Sequence, residues 1–180
     1  ILDLVKTIRK SSEIPIALMG YINPIMNYGL EKFLDDCQIA GVDGLIIPDL
    51  PPEEADTFIT FAKEKQILPI LLVAPNTSNR RIKKISELAG GLIYCVAILG
   101  ITGTSKADKK ELENYLERVA ENCSTPFVVG FGIKSRGDVR HINRYAHAAV
   151  VGSELILRQS EAKNPIDTTF EFISELKGLK

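Results

Sequence analysis

Six continuous apolar runs, each followed by a helical stretch, predict an α/β fold with a parallel sheet. Two glycine turns behind the last two runs point further, to the sheet of a (β/α)8 TIM barrel. The first turn, Gly130-Phe131-Gly132, closes Pro126-Phe127-Val128-Val129, and the second, Gly152-Ser153, closes Ala148-Ala149-Val150-Val151. β-branched runs that end in glycine are how strands buried on both faces hand over to their helices. Glycine there lets a ligand approach the backbone, with peptide N–H groups free to face an anion. Ser153 stands where a helix would start, the position that favours phosphate. The loops after strands 7 and 8 are where such barrels hold phosphate.

The elements follow one another at 25 to 35 residues, roughly the length of a βαβ unit. Leu2, Leu4, Val5 and Ile8 make a helical apolar face with no strand before it. Ile14–Met19 reads as the first strand, and Asn27-Tyr28-Gly29 leads into a helix from Leu30. Val42–Ile47 is the second strand, ended by Pro48-Asp49-Leu50-Pro51-Pro52; Glu53 and Glu54 then open a helix to about Lys65, as the helix dipole favours. Leu68–Val73 is the third, and Pro75-Asn76-Thr77-Ser78 caps a helix running to Ala89. Leu92–Ala97 precedes the longest loop, Gly100-Ile101-Thr102-Gly103-Thr104-Ser105. A charged helix from about Lys109 to Asn122 leads to the fifth strand, and Thr168–Leu179 closes the chain as an amphipathic helix.

Composition excludes several classes. The 180 residues are 45% hydrophobic and 25% charged, with net charge -1, enough for one globular core. The Arg80-Arg81 and Lys83-Lys84 pairs are the only basic cluster, which argues against nucleic acid. No apolar run approaches the roughly 20 residues of a membrane helix, and the opening residues do not read as a signal peptide. Cys37, Cys95 and Cys123 are odd in number, far apart and without CxxC spacing. That argues against a disulfide framework or a metal site and for a reducing, cytoplasmic compartment, with Cys95 as a core residue.

A closed barrel needs eight strands and typically about 250 residues. Six strands are present, and the chain opens in mid-element. The expectation is therefore a single barrel domain, residues 1–180, lacking its N-terminal two βα units. An open doubly wound sheet is the alternative, with its ligand at a switch point; phosphate turns on the last two strands favour the barrel.

Five stretches resemble the alpha chain of tryptophan synthase: Pro15 to Pro24, Gly41 to Pro51, Gly100-Ile101-Thr102-Gly103, Gly130-Phe131-Gly132-Ile133 and Val151-Gly152-Ser153. They fall in order over nearly the whole chain. The resemblance implies a carbon–carbon lyase that cleaves indole-3-glycerol phosphate to indole and glyceraldehyde 3-phosphate in tryptophan biosynthesis. It implies no cofactor on this chain, pyridoxal phosphate belonging to a partner beta chain in an alpha2beta2 complex. The compartment implied is the cytoplasm, or the plastid stroma in a photosynthetic eukaryote. Gly103, Gly132, Gly152 and Ser153 match the family's phosphate site. Met19, Ile46, Tyr94, Thr102 and Phe131 match its substrate pocket, and Tyr21, Asn23, Pro24 and Asp49 the face toward the beta chain.

The resemblance assigns no catalytic residue to this chain. The family's two catalytic carboxylates sit in a Glu-Leu-Gly strand and an Ala-Asp-Gly loop, and neither motif occurs here. Ala97-Ile98-Leu99 stands where family members often carry polar residues, and no role is carried to those three. Simpler roles compete at several positions. Asp49, at a strand's C-terminal end, could cap the turn or helix beside it; Thr102 could be an ordinary loop residue, and Tyr94 core. His141 and His147 show no ligand spacing and read as surface residues. Two other functions remain open: another phosphate-binding barrel enzyme of the phosphoribosyl isomerase type, or a non-catalytic regulator of a beta chain.

Overall fold

The computed structural model describes residues 1–97, 106–130 and 132–179. By their internal contacts these form two compact units, Ile1–Leu72 with Lys83–Ile93, and Val73–Ile82 with Tyr94–Lys180.

The first unit opens with α1 (Leu2–Arg9), followed by β1 (Ala17–Met19), α2 (Ile22–Tyr28), α3 (Leu30–Ala40), β2 (Gly44–Ile46), α4 (Asp56–Glu64) and β3 (Leu68–Val73). The strands lie in the order β1-β2-β3 and run parallel. Helix α3 buries Leu34, Cys37 and Ala40, one side of a 3.6-residue helix, and ends at Gly41, whose φ of 86° is the left-handed C-cap that glycine adopts without strain. Arg9 ties α1 to the strand entrances. Its guanidinium donates to the carbonyls of Gly41, Ser12 and Ile14 and pairs with Asp43, whose Oδ2 also accepts the Ile16 N–H. This one arginine satisfies three turn carbonyls at once and so fixes the chain entering β1 and β2.

Helix α5 (Asn79–Leu88) follows, then β4 (Ile93–Val96), α6 (Lys106–Asn122), β5 (Phe127–Gly130), α7 (Arg136–Ile142), β6 (Ala148–Val150), α8 (Ser153–Glu161) and α9 (Pro165–Lys177). In the second unit β4, β5 and β6 follow in that order, with Gly130 and Val150 register partners in the parallel pair β5–β6. Tyr115 of α6 is buried and donates its hydroxyl to the Val73 carbonyl at 2.8 Å. Three residues on, Arg118 donates to the carbonyls of Pro75 and Thr77, both at 2.5 Å. Helix α9 has Asn164 as its N-cap, Pro165 in the first turn and Gly178 beyond its end, a full set of start and stop signals.

Several expectations need correcting. Residues 22–28 form a helix that the sequence reading omits: Pro24 sits in its first turn, where a missing N–H costs nothing. Helix α4 begins at Asp56 rather than Glu53, because the proline-rich turn runs on through 54. Helix α9 begins at Pro165, ahead of Thr168, since Asn164 supplies the cap. Burial on both faces holds for β2 but not for β1 or β6. Each of these two strands pairs with one neighbour, and Met19 is 56% exposed.

Candidate functional site

The residues with the most chemistry gather in the second unit, where β5 and β6 end side by side. Helix α8 begins at Ser153, with Gly152 as its N-cap and no side-chain cap. Its first intrahelical bond runs from the Ile156 N–H to the Gly152 carbonyl. The N–H groups of Ser153, Glu154 and Leu155 precede that bond, so they present partial positive charge with no helical acceptor. Across from them, Gly132 has φ of 33°, and a side chain there would meet nothing within 4 Å. A non-glycine residue would be strained at that φ, while the open surroundings leave the peptide accessible.

These glycines border a cavity of about 440 Å³ that Tyr94, Gly132, Gly152 and Ser153 line together. The structure thus brings one expected pocket residue and three expected phosphate residues to one place. Tyr94 explains the other glycine of the turn. A Cβ on Gly130 would run into the Tyr94 hydroxyl and lie 2.6 Å from Cζ, so any side chain there would push the ring out of its place. Burial pushes the Tyr94 phenol above its ordinary value, so it stands in the cavity as a neutral hydroxyl. Its neighbour Cys95 is fully buried, and burial pushes its thiol up to about 12, so it is an inert core residue, as the sequence reading expects.

Two charged residues at the cavity went unnoticed in the sequence, Lys134 and Glu154. The turn before α7 fixes the backbone of the first. The N–H groups of Lys134 and Ser135 and the Ser135 hydroxyl all reach Asp138 Oδ2, at 3.0, 2.9 and 2.9 Å, and Ser135 returns a capping-box bond. Partial burial raises the Asp138 carboxyl, but these donors and the charge of Lys109 together hold it below its ordinary value. Glu154 is engaged by Arg158, Nε to Oε1 at 2.9 Å, and that guanidinium lies 4.0 Å from the centre of the Phe172 ring. The signal for Lys134 was its place two residues after the second glycine of the turn.

The first unit holds a separate group. Met19 and Ile46 are register partners across β1–β2, which puts their side chains on one face of the sheet, and the Gly20 N–H donates to the Ile46 carbonyl at 3.1 Å. Ile46 is buried while Met19 is exposed. Tyr21, Asn23 and Pro24 are exposed at the start of α2. Asp49, also exposed, accepts the Ile22 N–H at 2.9 Å and so caps α2, a helix the sequence reading lacked. Gly103, Thr102 and Phe131 lie outside the described residues. His147 is exposed, and its Nδ1 accepts the Phe127 N–H at 3.3 Å. His141 is not a surface residue: it is half-buried, its Nε2 3.5 Å from Glu113, because α7 packs that side of its turn inward. Among the described residues no group of three or more His, Cys, Asp or Glu is placed to hold a metal, and no helix is long and apolar enough to cross a membrane.

Comparison with known proteins identifies the family. Residues 1–178 match the family described as tryptophan synthase alpha chain. The chain is 43% identical over 156 residues to the tryptophan synthase alpha chain of Petrotoga mobilis, covering 87% of this chain and 60% of that one. It is 45% identical over 166 residues to that of a Roseiflexus species, covering 91% and 64%. The chain therefore spans less than two thirds of the length of these relatives. Among solved structures, the tryptophan synthase alpha subunit of Pyrococcus furiosus superposes with a TM-score of 0.89 at 34% identity, covering 98% of this chain and 72% of that one. A chain from the alpha2beta2 complex of the same organism gives 0.86 at 35%, with the same coverage. The fold class is that of these barrels, with six parallel strands among the described residues. From residue 1 to residue 178, the chain belongs to the tryptophan synthase alpha chain family.

Proposed function

We propose that the chain serves the cleavage of indole-3-glycerol phosphate to indole and glyceraldehyde 3-phosphate, and that indole passes to a pyridoxal-phosphate-bearing beta chain. In this reading the chain itself needs no cofactor. The observation that carries it is the cavity in which Gly132, Gly152, Ser153 and Tyr94 meet, within a chain that belongs to this family.

The reaction breaks the bond between indole C3 and the glycerol arm. A proton is added at C3 as N1 gives one up; when the bond breaks its electron pair returns to the ring and N1 takes a proton back, while the glycerol hydroxyl loses its proton and becomes the aldehyde. Paired carboxylates in different environments can divide that acid and base work, and no carboxylate in these 180 residues matches the family's pair. The part assigned to this chain is binding and orientation. The first-turn N–H groups of α8 and the peptide at Gly132 take the phosphate, the unreactive end of the substrate. Holding it there positions the bond to be broken, which is how binding remote from the chemistry lowers a barrier. Tyr94 is the proposed pocket wall within the second unit. The neutral Tyr94 hydroxyl offers a hydrogen bond without adding charge.

The exposed group of Tyr21, Asn23 and Pro24, with Asp49 fixing the first turn of α2, is the proposed face toward the beta chain. The Pyrococcus furiosus relative, solved in an alpha2beta2 complex, supports a partner of that kind. A cytoplasmic location fits the cysteine usage. Two measurements test the proposal. Glycerol 3-phosphate titrated against the chain should bind saturably, and no binding would remove this cavity as the phosphate site. Indole release from indole-3-glycerol phosphate should be undetectable with these 180 residues alone; steady turnover would show that a carboxylate outside the family's two motifs does the work.

A further inference from the structure

The backbone donors at the cavity leave a charge deficit. A phosphate monoester at pH 7 carries close to two negative charges, while a helix N-terminus supplies the equivalent of about half a positive one. Glu154, in the first turn of α8 and at the cavity wall, adds a full negative charge. Its Oε1 accepts from Arg158, which stays engaged through its stack on Phe172 and its approach to Glu175 at 3.7 Å. That pairing cancels the glutamate without placing Arg158 at the wall. Among the described residues lining the cavity, Lys134 is then the one cation, and it makes no ion pair with any described carboxylate. Asp138, the nearest acid in sequence, has its Oδ2 filled by the N–H groups of Lys134 and Ser135 and by the Ser135 hydroxyl. Local charge comes to about +1.5 with Lys134 and about +0.5 without it, counting the helix end as half a charge.

We infer that Lys134 is a phosphate-binding residue whose ammonium supplies the counter-charge for a phosphate monoester dianion in this cavity, with the Glu154–Arg158 pair keeping the neighbouring carboxylate neutralised. The inference rests on the cavity being the phosphate site proposed above. A lysine suits this role better than a fixed fork. Its ammonium is a compact point charge on a flexible four-carbon stem, able to follow the anion from an exposed backbone position. Orientation then remains with the backbone N–H groups, and Lys134 contributes attraction that salt can screen.

The test is calorimetric titration of glycerol 3-phosphate into the 180-residue chain at low and at 0.5 M salt. The variants are Lys134→Met, Lys134→Arg and Glu154→Gln, each checked for an unchanged circular dichroism spectrum. Lys134→Met should weaken binding five- to tenfold at low salt and flatten its salt dependence, while Lys134→Arg stays within twofold of wild type. Glu154→Gln should tighten binding or leave it unchanged, since the charge it removes is already paired. A Lys134→Met protein with wild-type affinity and wild-type salt dependence overturns the lysine's role and leaves the phosphate site standing. Absence of binding in the wild type overturns both.

Discussion

Replacing Arg118 by methionine should unfold the second unit more easily, by an amount its contacts set. Its guanidinium donates to the carbonyls of Pro75 and Thr77 at 2.5 Å each, with the Asn79 side-chain oxygen at 3.3 Å, and lies 5.9 Å from the centre of the Tyr115 ring. Those carbonyls belong to the turn between β3 and α5, and Pro75 and Thr77 are half-buried. A hydrogen bond from a charged donor contributes roughly 1.5 to 3 kcal/mol when water is excluded. Water can reach this partly open turn and replace some of that, so about 1 kcal/mol per carbonyl is the fair figure, and about 2 kcal/mol in all. Methionine keeps most of the aliphatic packing, which isolates the polar loss. With a urea slope of roughly 1 to 3 kcal/mol/M, the midpoint should fall by about 1 M, read by circular dichroism. Lysine can reach one carbonyl but not both, because it lacks the planar fork, so Arg118→Lys should lie about halfway. A methionine variant within 0.3 M of wild type, or a lysine variant equal to it, would show that the fork does not hold this turn.

Gly130→Ala forces the Tyr94 hydroxyl to retreat from the new Cβ; stability should drop by about 1 kcal/mol, as for mild overpacking, and Tyr94→Ala should abolish that cost in a double-mutant cycle by urea unfolding. Gly152→Asp meets open space, so the fold should survive and α8 gain an N-cap, while the added carboxylate takes the first-turn N–H groups and lowers glycerol phosphate affinity more than tenfold by calorimetry. The Asp138 carboxyl titrates below its ordinary 3.8 in the folded chain, so its stabilisation is present above that pH and lost as pH falls through the folded value. Asp138→Asn should remove that pH dependence along with the capping box, seen as a flatter acid unfolding curve.

The parallel α/β order was legible because strands in buried sheets are apolar runs, and helices between them need caps that sequence displays. Where it misled, a local signal lost to a better one nearby. Glu53 and Glu54 looked like a helix start, yet the prolines at 51 and 52 carry the turn further, and Asp56 opens α4. Residues 22–28 carried no start signal of their own, because what caps them is Asp49, 27 residues away and brought near by the β1–β2 pairing. No window along the chain contains that bond.

The candidate site divides along the same line. Glycines are visible in sequence as breaks in apolar runs, so Gly132 and Gly152 stand out along the chain. Charge is not visible in that way: Lys134 is one of many lysines, and its meaning depends on which neighbours lack a free carboxylate. That Glu154 is neutralised by Arg158, i to i+4 on α8, could have been guessed from spacing. That Arg158 also stacks on Phe172 of α9, and so stays on its own side of the helix, could not. Backbone donors fix where an anion sits, and side-chain charges fix how strongly it is held. Only the first of these is written in a pattern a single chain can show.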